Sequence, residues 1–274
     1  MESPANTEPA LFKNVPPMYF NLTATYRTDS DIRMFYGAFR ERSQKVNISE
    51  KVASIIKKKK NLALQLVSNC HTQSNRETLA KELGKFMNIT SYGSCFGRTC
   101  DEKCEEDAVE SHFFYLAFEN SVCPDYVSEK FFRLSRGIVP VVLSRKIAQN
   151  VAPSESFIAV DDFPTPKDLA EYLIHVAAHK QLYALYLRWM ESYEVEKSNW
   201  GACDLCKAAH EKPKSVKHAE NWWNSEKCWV NYAALNLKSD ANWSSFASDC
   251  GFLVLLLMIF VVLFAQNGDL MTSV

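Results

Sequence analysis

The chain has 274 residues, 47% of them hydrophobic, and a formal net charge of -1 at neutral pH. That much apolar material supports one large or two modest cores and rules out a disordered or fibrous chain. With neither sign of charge in excess there is no electrostatic footprint for nucleic acid, which is not an expected partner.

In chain order, Met1 runs straight into a polar, proline-bearing stretch with neither signal peptide nor N-terminal membrane anchor. Strand-like pieces such as 18–26 follow, but there is too little material before Lys57 for a separate core, so this part reads as the end of something larger. From Lys57 to Lys180 short apolar runs alternate with amphipathic ones, the pattern of parallel strands joined by helices in an α/β domain. Residues 62–67, 114–118 and 138–143 read as buried strands. Ser74-Asn75-Arg76-Glu77 has the form of a capping box, with Leu79, Leu83 and Phe86 at helical spacing behind it. Thr165-Pro166 opens a further helix, whose buried stripe is Leu169, Tyr172, Leu173 and Val176.

After about Ser198 the chain turns polar and tryptophan-rich, as a closing appendage would. The run 252–265 is uniformly apolar, and Cys250 and Gly251 extend it. It is short against the roughly 20 residues that span a bilayer. Apolarity on all faces favours a membrane segment over a buried helix.

Nine cysteines are many for a chain of this size, and Cys100 with Cys104 and Cys203 with Cys206 form short pairs. Disulfides or a metal site would each explain them, and His71, His112 and His210 are too scattered to decide. Sequons at Asn21, Asn47, Asn88 and Asn242 point to the secretory lumen, as N-glycosylation sites.

Ligands of an open parallel sheet bind beyond the carboxyl ends of its strands. The 62–67 strand runs into Ser68-Asn69 and then a helix start bearing Arg76, a cradle for phosphate. The bland reading is a solvated surface arginine. A denser cluster follows the 114–118 strand: Glu119-Asn120-Ser121, then a loop to a helix with Tyr126, Glu129 and Lys130. Acceptors, donors and an aromatic face at one strand end suit a sugar joined to a phosphate, although Glu129 and Lys130 also read as ordinary helix-surface charges.

These last residues carry a resemblance. FENS at 118–121, YVSEK at 126–130, GIVPVVL at 137–143 and SFIAVDDF at 156–163 closely resemble the α-1,3-fucosyltransferase family. Further motifs occur in the family's order: ESP at 2–4, YRTDSD at 26–31, YG at 36–37, VSN at 67–69, YGSC at 92–95, CDLC at 203–206 and KPKSV at 212–216. The resemblance implies a GT-B fold of two Rossmann-like domains facing across a cleft, here one complete donor domain and a remnant of the acceptor domain. It divides the chain into an acceptor remnant and linker at 1–56, a GDP-fucose-binding domain at 57–198, a Cys/Trp-rich appendage at 199–249 and a candidate transmembrane segment at 250–266.

The implied activity is transfer of L-fucose from GDP-fucose to a glycan hydroxyl in α-1,3 linkage, with inversion and without metal or other cofactor. By position Glu2 matches the general base, and Glu129 faces the fucose. Arg76 and Lys130 match the groups that neutralise the departing pyrophosphate. Tyr36, Ser68, Asn69, Tyr115, Asn120 and Tyr126 match positions that hold the nucleotide sugar. Asp29-Ser30-Asp31, which looks like a metal-binding DxD, would serve without metal, and Cys203 and Cys206 would form a disulfide.

The implied partners are GDP-fucose, a glycan acceptor (N-acetyllactosamine or an N-glycan core) and a membrane, and the implied location is the Golgi membrane with a lumenal catalytic domain. Cys123, after FENS, leans toward invertebrate and core-type members. The sequence also departs from the family. Met1 abuts ESP, ahead of which the resemblance implies a full acceptor domain, Ser144-Arg145 replaces a glycine-proline, and the helix after Lys130 is about two residues short, so that it ends early or rebuilds its apolar face. These departures leave, as an alternative, a silent relative that at most binds GDP-fucose.

Overall fold

The computed structural model describes residues 3–7, 12, 15–16, 18–197, 201–211, 218–225 and 227–235. Its centre is a parallel five-stranded sheet. Two short strands, β1 (Ala24–Thr25) and β2 (Ile32–Arg33), pair in parallel ahead of it. An antiparallel ribbon joins β3 (Gly37–Glu41) to β9 (Tyr193–Lys197). The main sheet comprises β4 (Asn61–Leu66), β5 (Ile89–Tyr92), β6 (His112–Leu116), β7 (Val139–Val142) and β8 (Ile158–Ala159), in the order β5-β4-β6-β7-β8.

Both faces of this sheet are covered, which is why its central strands are near-continuous apolar runs. Leu64, Phe114, Val141 and Ala159 are essentially inaccessible, as are Leu79 and Leu83 of the helix α2 (Arg76–Leu83) and Leu169 and Leu173 of the helix Pro166–Ala178. The latter helix is capped by the Thr165 side chain and begins with a proline, as its sequence predicts. Helix α1 (Ser49–Lys58) packs against α3 (Glu102–Ser111), and α3 and α4 (Glu129–Phe132) complete the elements that line the site.

Three strands lie where the apolar runs place them. The other two escape sequence reading for physical reasons: β5 is an edge strand, half-buried along its whole length, and β8 has only two residues. The capping box does not form. Asn75, in a left-handed conformation with φ +56°, precedes α2 without a side-chain cap. Ser74 is fully buried and its hydroxyl donates to the Glu119 carbonyl at 2.7 Å, while the Glu77 carboxylate accepts from the backbone and hydroxyl of Thr72. Because α2 stops at Leu83, Phe86 escapes the stripe and is 44% exposed, and Met87 is buried in its place.

The shortened helix after Lys130 ends early. α4 has four residues and tightens into a 3-10 turn, Arg133–Arg136, closed by Gly137 at φ +81°. The ribbon braces this element from outside. Phe39 packs edge-on against Phe131 and Trp189, and Gly37 lies so close to Phe132 that a β-carbon there would meet the ring at 2.6 Å.

Disulfides join Cys70 to Cys95, Cys100 to Cys104 and Cys123 to Cys228. Cys203 and Cys206, expected to pair, are instead exposed free thiols on the helix Ala202–His210. Positions three apart on a helix hold their β-carbons about 5–6 Å apart, beyond the roughly 3.8 Å of a disulfide. Glu2, Asn242 and the run 250–266 lie outside the described residues. No helix among the described residues is long and apolar enough to cross a membrane.

Candidate functional site

The strand order reverses at β4: the chain leaves it outward through α2 to β5, then returns across the sheet through α3 to β6. Loops leaving the carboxyl ends of β4 and β6 therefore diverge, and such a switch point opens a crevice. Here the crevice is a cleft of about 600 Å³, within the range of small-molecule sites.

Its walls come from four places. Ser68 and Asn69 follow β4, Gly93 and Ser94 follow β5, Tyr115 and Asn120 belong to β6 and its loop, and Glu129 and Lys130 open α4. Arg76, Glu105 and Arg133 add charge from α2, α3 and the 3-10 turn.

The loops are stitched together by backbone contacts. Gly93, at φ +112°, approaches Val67 so closely that a β-carbon would sit 2.1 Å from the Val67 carbonyl oxygen, so no other residue fits. The Ser94 hydroxyl donates to the Ser68 carbonyl at 2.9 Å, and the Cys70–Cys95 disulfide closes the same pair of loops. On the other side the Ser74 N–H donates to the Asn120 carbonyl at 2.9 Å. Residues 227–235 lace over this loop through the Cys123–Cys228 disulfide and the bonds Trp229 N–H to Val122, Asn231 N–H to Gln73 and Ala233 N–H to Ser74.

Arg76 is only 5% exposed, which overturns the solvated-surface reading. Its Nη1 donates to the Phe118 carbonyl at 2.5 Å and its Nη2 to the Asn69 carbonyl at 3.2 Å, so one guanidinium bridges the ends of both strands. Burial pulls its pKa down, opposed first by Glu119. The guanidinium stays charged all the same, since arginine is not deprotonated in proteins.

Lys130 Nζ lies 3.1 Å from Glu119 Oε2, 2.8 Å from Ser128 Oγ and 3.3 Å from Glu129 Oε1. Burial disfavours the ammonium, but Glu119 and then Glu129 outweigh it, and the net shift is upward. Glu119 also accepts from the Ser128 backbone at 2.8 Å, tying the start of α4 to the end of β6. For Glu129, burial works against the carboxylate, yet Lys130 and neighbouring donors hold its pKa below the usual range. Its side chain is 56% exposed and accessible to a ligand.

Tyr115 is fully buried, burial raises its pKa, and Arg133 stacks on its ring at 5.1 Å. Among the described residues, three buried polar atoms of this cleft have no hydrogen-bond partner: Arg76 Nε, Asn120 Oδ1 and Arg133 Nη1.

Seven sequence-predicted residues thus converge: Ser68, Asn69, Arg76, Tyr115, Asn120, Glu129 and Lys130. Two others stand elsewhere. Tyr126 is buried in a separate cluster against Tyr26, at 5.1 Å, and Trp223; Tyr36 precedes Gly37 on the brace behind α4 and is not among the residues that line the cleft. Sequence reading passed over Glu105 and Arg133 as site residues. Arg133 follows Lys130 by three positions, a spacing that places both on one side of a helix and was available as a signal.

Asp29 and Asp31, the DxD-like pair, have separate partners. Asp29 pairs with Arg27 at 2.8 Å and accepts from the Trp222 indole at 2.8 Å, while Asp31 accepts from the backbone and hydroxyl of Thr23. Asp29 helps to anchor the N-terminal segment to residues 222–225, where Arg27 also bonds the Trp222 carbonyl and the Ser225 hydroxyl, whereas Asp31 ties that segment to itself.

Residues 56–223 match the family model described as glycosyltransferase family 10 (fucosyltransferase), C-terminal part. The chain is 33% identical over 238 residues to alpha-(1,3)-fucosyltransferase fut-1 of Caenorhabditis elegans, covering 81% of this chain and 54% of that protein. It is 36% identical over 233 residues to the human 4-galactosyl-N-acetylglucosaminide 3-alpha-L-fucosyltransferase 9, covering 82% and 62%. Among solved structures, an alpha1,3-fucosyltransferase crystallised with GDP aligns with a TM-score of 0.44 at 23% identity, over 52% of this chain and 45% of that one. The chain therefore spans little more than half the length of the relatives it matches.

Proposed function

The chain belongs to glycosyltransferase family 10, and on that premise we propose that it is the donor-binding half of a GDP-fucose-dependent α-1,3-fucosyltransferase. The observation that carries this reading is the convergence of Arg76 and Lys130 with Tyr115 and Asn120 in one cleft at the sheet's switch point. One buried and one largely buried cation in a polar, aromatic-walled crevice suit a diphosphate joined to a sugar and a base. The GT-B arrangement belongs to the same reading, with this sheet as the donor domain and 1–56 as a part of the acceptor domain.

In the proposed reaction the acceptor hydroxyl attacks C1 of fucose from the face opposite the diphosphate. The new C1–O bond forms as the C1–O bond to the β-phosphate breaks, and the electron pair leaves with GDP. Lys130 and Arg76 stabilise the charge that accumulates on the diphosphate. The half-exposed Glu129 faces the positive charge developing on the sugar ring, and Glu2 takes the acceptor proton. Ser68, Asn69, Tyr115 and Asn120 hold the nucleotide sugar, while Tyr36 and Tyr126 act from the elements behind and beside the cleft.

A lumenal location is part of the proposal, supported by three disulfides and by the exposure of the sequon residues Asn21, Asn47 and Asn88. A Golgi membrane tether at 250–266 rests on the sequence alone. The reading is tested by incubating the chain with GDP-fucose and either N-acetyllactosamine or an N-glycan core, then determining the product linkage. An α-1,3-fucosylated product is expected with one of the two; GDP release without product, or no turnover, counts against transfer by this chain.

A further inference from the structure

Arg133 opens the 3-10 turn that follows α4, three residues beyond Lys130. Its Nε and Nη2 donate to the two carboxylate oxygens of Glu105 at 3.0 and 3.3 Å, and its guanidinium lies over the Tyr115 ring. The third nitrogen, Nη1, is shut away from bulk solvent and has no hydrogen-bond partner in the protein.

A purely structural clamp needs only the first two contacts, which join the turn to α3 and β6. It accounts neither for the orphaned nitrogen nor for the side chain's place in the same cleft wall as Arg76 and Lys130. An arginine can do both jobs, since one edge of its planar fork holds a carboxylate while another N–H remains for an anion. We propose that Arg133 is a third cation of the donor site, its Nη1 taking a diphosphate oxygen while Glu105 and Tyr115 hold the guanidinium plane ready. This rests on the donor-site reading above.

The division of labour follows from the partners of each cation. Arg76 commits two nitrogens to backbone carbonyls and Lys130 is paired with Glu119. Among the described residues, Arg133 Nη1 and Arg76 Nε are thus the cation donors of this cleft left without a partner, and the charge of Arg133 is offset by Glu105 alone among its side-chain hydrogen-bond partners. A terminal phosphate oxygen supplies the acceptor that Nη1 lacks.

The test is calorimetric titration of the full chain with GDP, GMP and guanosine, comparing wild type with Arg133→Gln and Arg133→Lys. Arg133→Gln should weaken GDP at least tenfold and GMP less, leaving guanosine within twofold. Arg133→Lys, which keeps the charge but not the fork, should fall between. Wild-type GDP affinity in Arg133→Gln overturns the inference and leaves the donor site standing. An equal loss for all three ligands also overturns it, because it marks Arg133 as a packing residue only. Failure of wild type to bind GDP removes the donor-site reading itself, and the inference with it.

Discussion

Lys130 Nζ lies 3.1 Å from Glu119 Oε2, with the two side chains only 15% and 12% exposed. A nearly buried pair of this kind adds little net stability, yet removing one partner strands the other. Lys130→Ala should weaken GDP binding at least tenfold and cost roughly 1–3 kcal/mol of stability. Glu119→Gln should cost a similar amount, because Ser128 and Lys130 lose their shared charged acceptor. In urea unfolding the double variant should be less destabilised than the sum of the two, by on the order of 1 kcal/mol. Strictly additive costs would show that the contact contributes nothing.

Arg76 joins the carbonyls of Phe118 and Asn69, a bridge that needs two nitrogens held in one plane. Arg76→Lys keeps the charge and loses the bridge. Stability should drop by about 1–3 kcal/mol, with GDP affinity falling alongside. An unchanged melting temperature would remove Arg76 from the framework of the cleft.

The Cys70–Cys95 disulfide joins loops that carry Ser68, Asn69, Gly93 and Ser94. Cys70→Ala together with Cys95→Ala should lower stability by about 2–4 kcal/mol. GDP affinity should fall as the cleft wall loosens. Differential scanning calorimetry and titration of the same sample separate the two effects; full affinity in a destabilised variant would confine the disulfide to stability.

Lys59 is buried at the other end of the sheet, where its Nζ donates to the Val109 carbonyl at 3.0 Å, and burial lowers its pKa to about 7. The sign follows from linkage. Between about pH 7 and the unfolded value near 10.5 the unfolded chain binds more protons, so this residue makes stability rise with pH. Relative to Lys59→Met, wild type should gain on the order of 2 kcal/mol between pH 6 and pH 9. Parallel pH profiles for the two proteins would contradict this placement of the charge.

The cleft was legible where chemistry is local. The Leu64 and Phe114 strands announce themselves as apolar runs because both sheet faces are buried, and the polar residues that close them become the cleft walls. What the sequence hid was tertiary. Ser74 and Glu77 have the spacing of a cap, but burial against the Glu119 loop redirects Ser74 across the sheet. Cys203 and Cys206 read as a pair until a helix holds them apart. Tyr126 follows the motif as faithfully as Lys130, yet the turn at Asp125, φ +59°, leads into a segment where Tyr126 packs with Tyr26 and Trp223. No local signal distinguishes these outcomes.

Calorimetric titration of the chain with GDP-fucose probes the donor cleft itself. Saturable one-site binding is expected, weakened at least tenfold by Lys130→Ala. No binding to the wild-type chain, or equal affinity in wild type and variant, would contradict the placement of the donor site between β4 and β6.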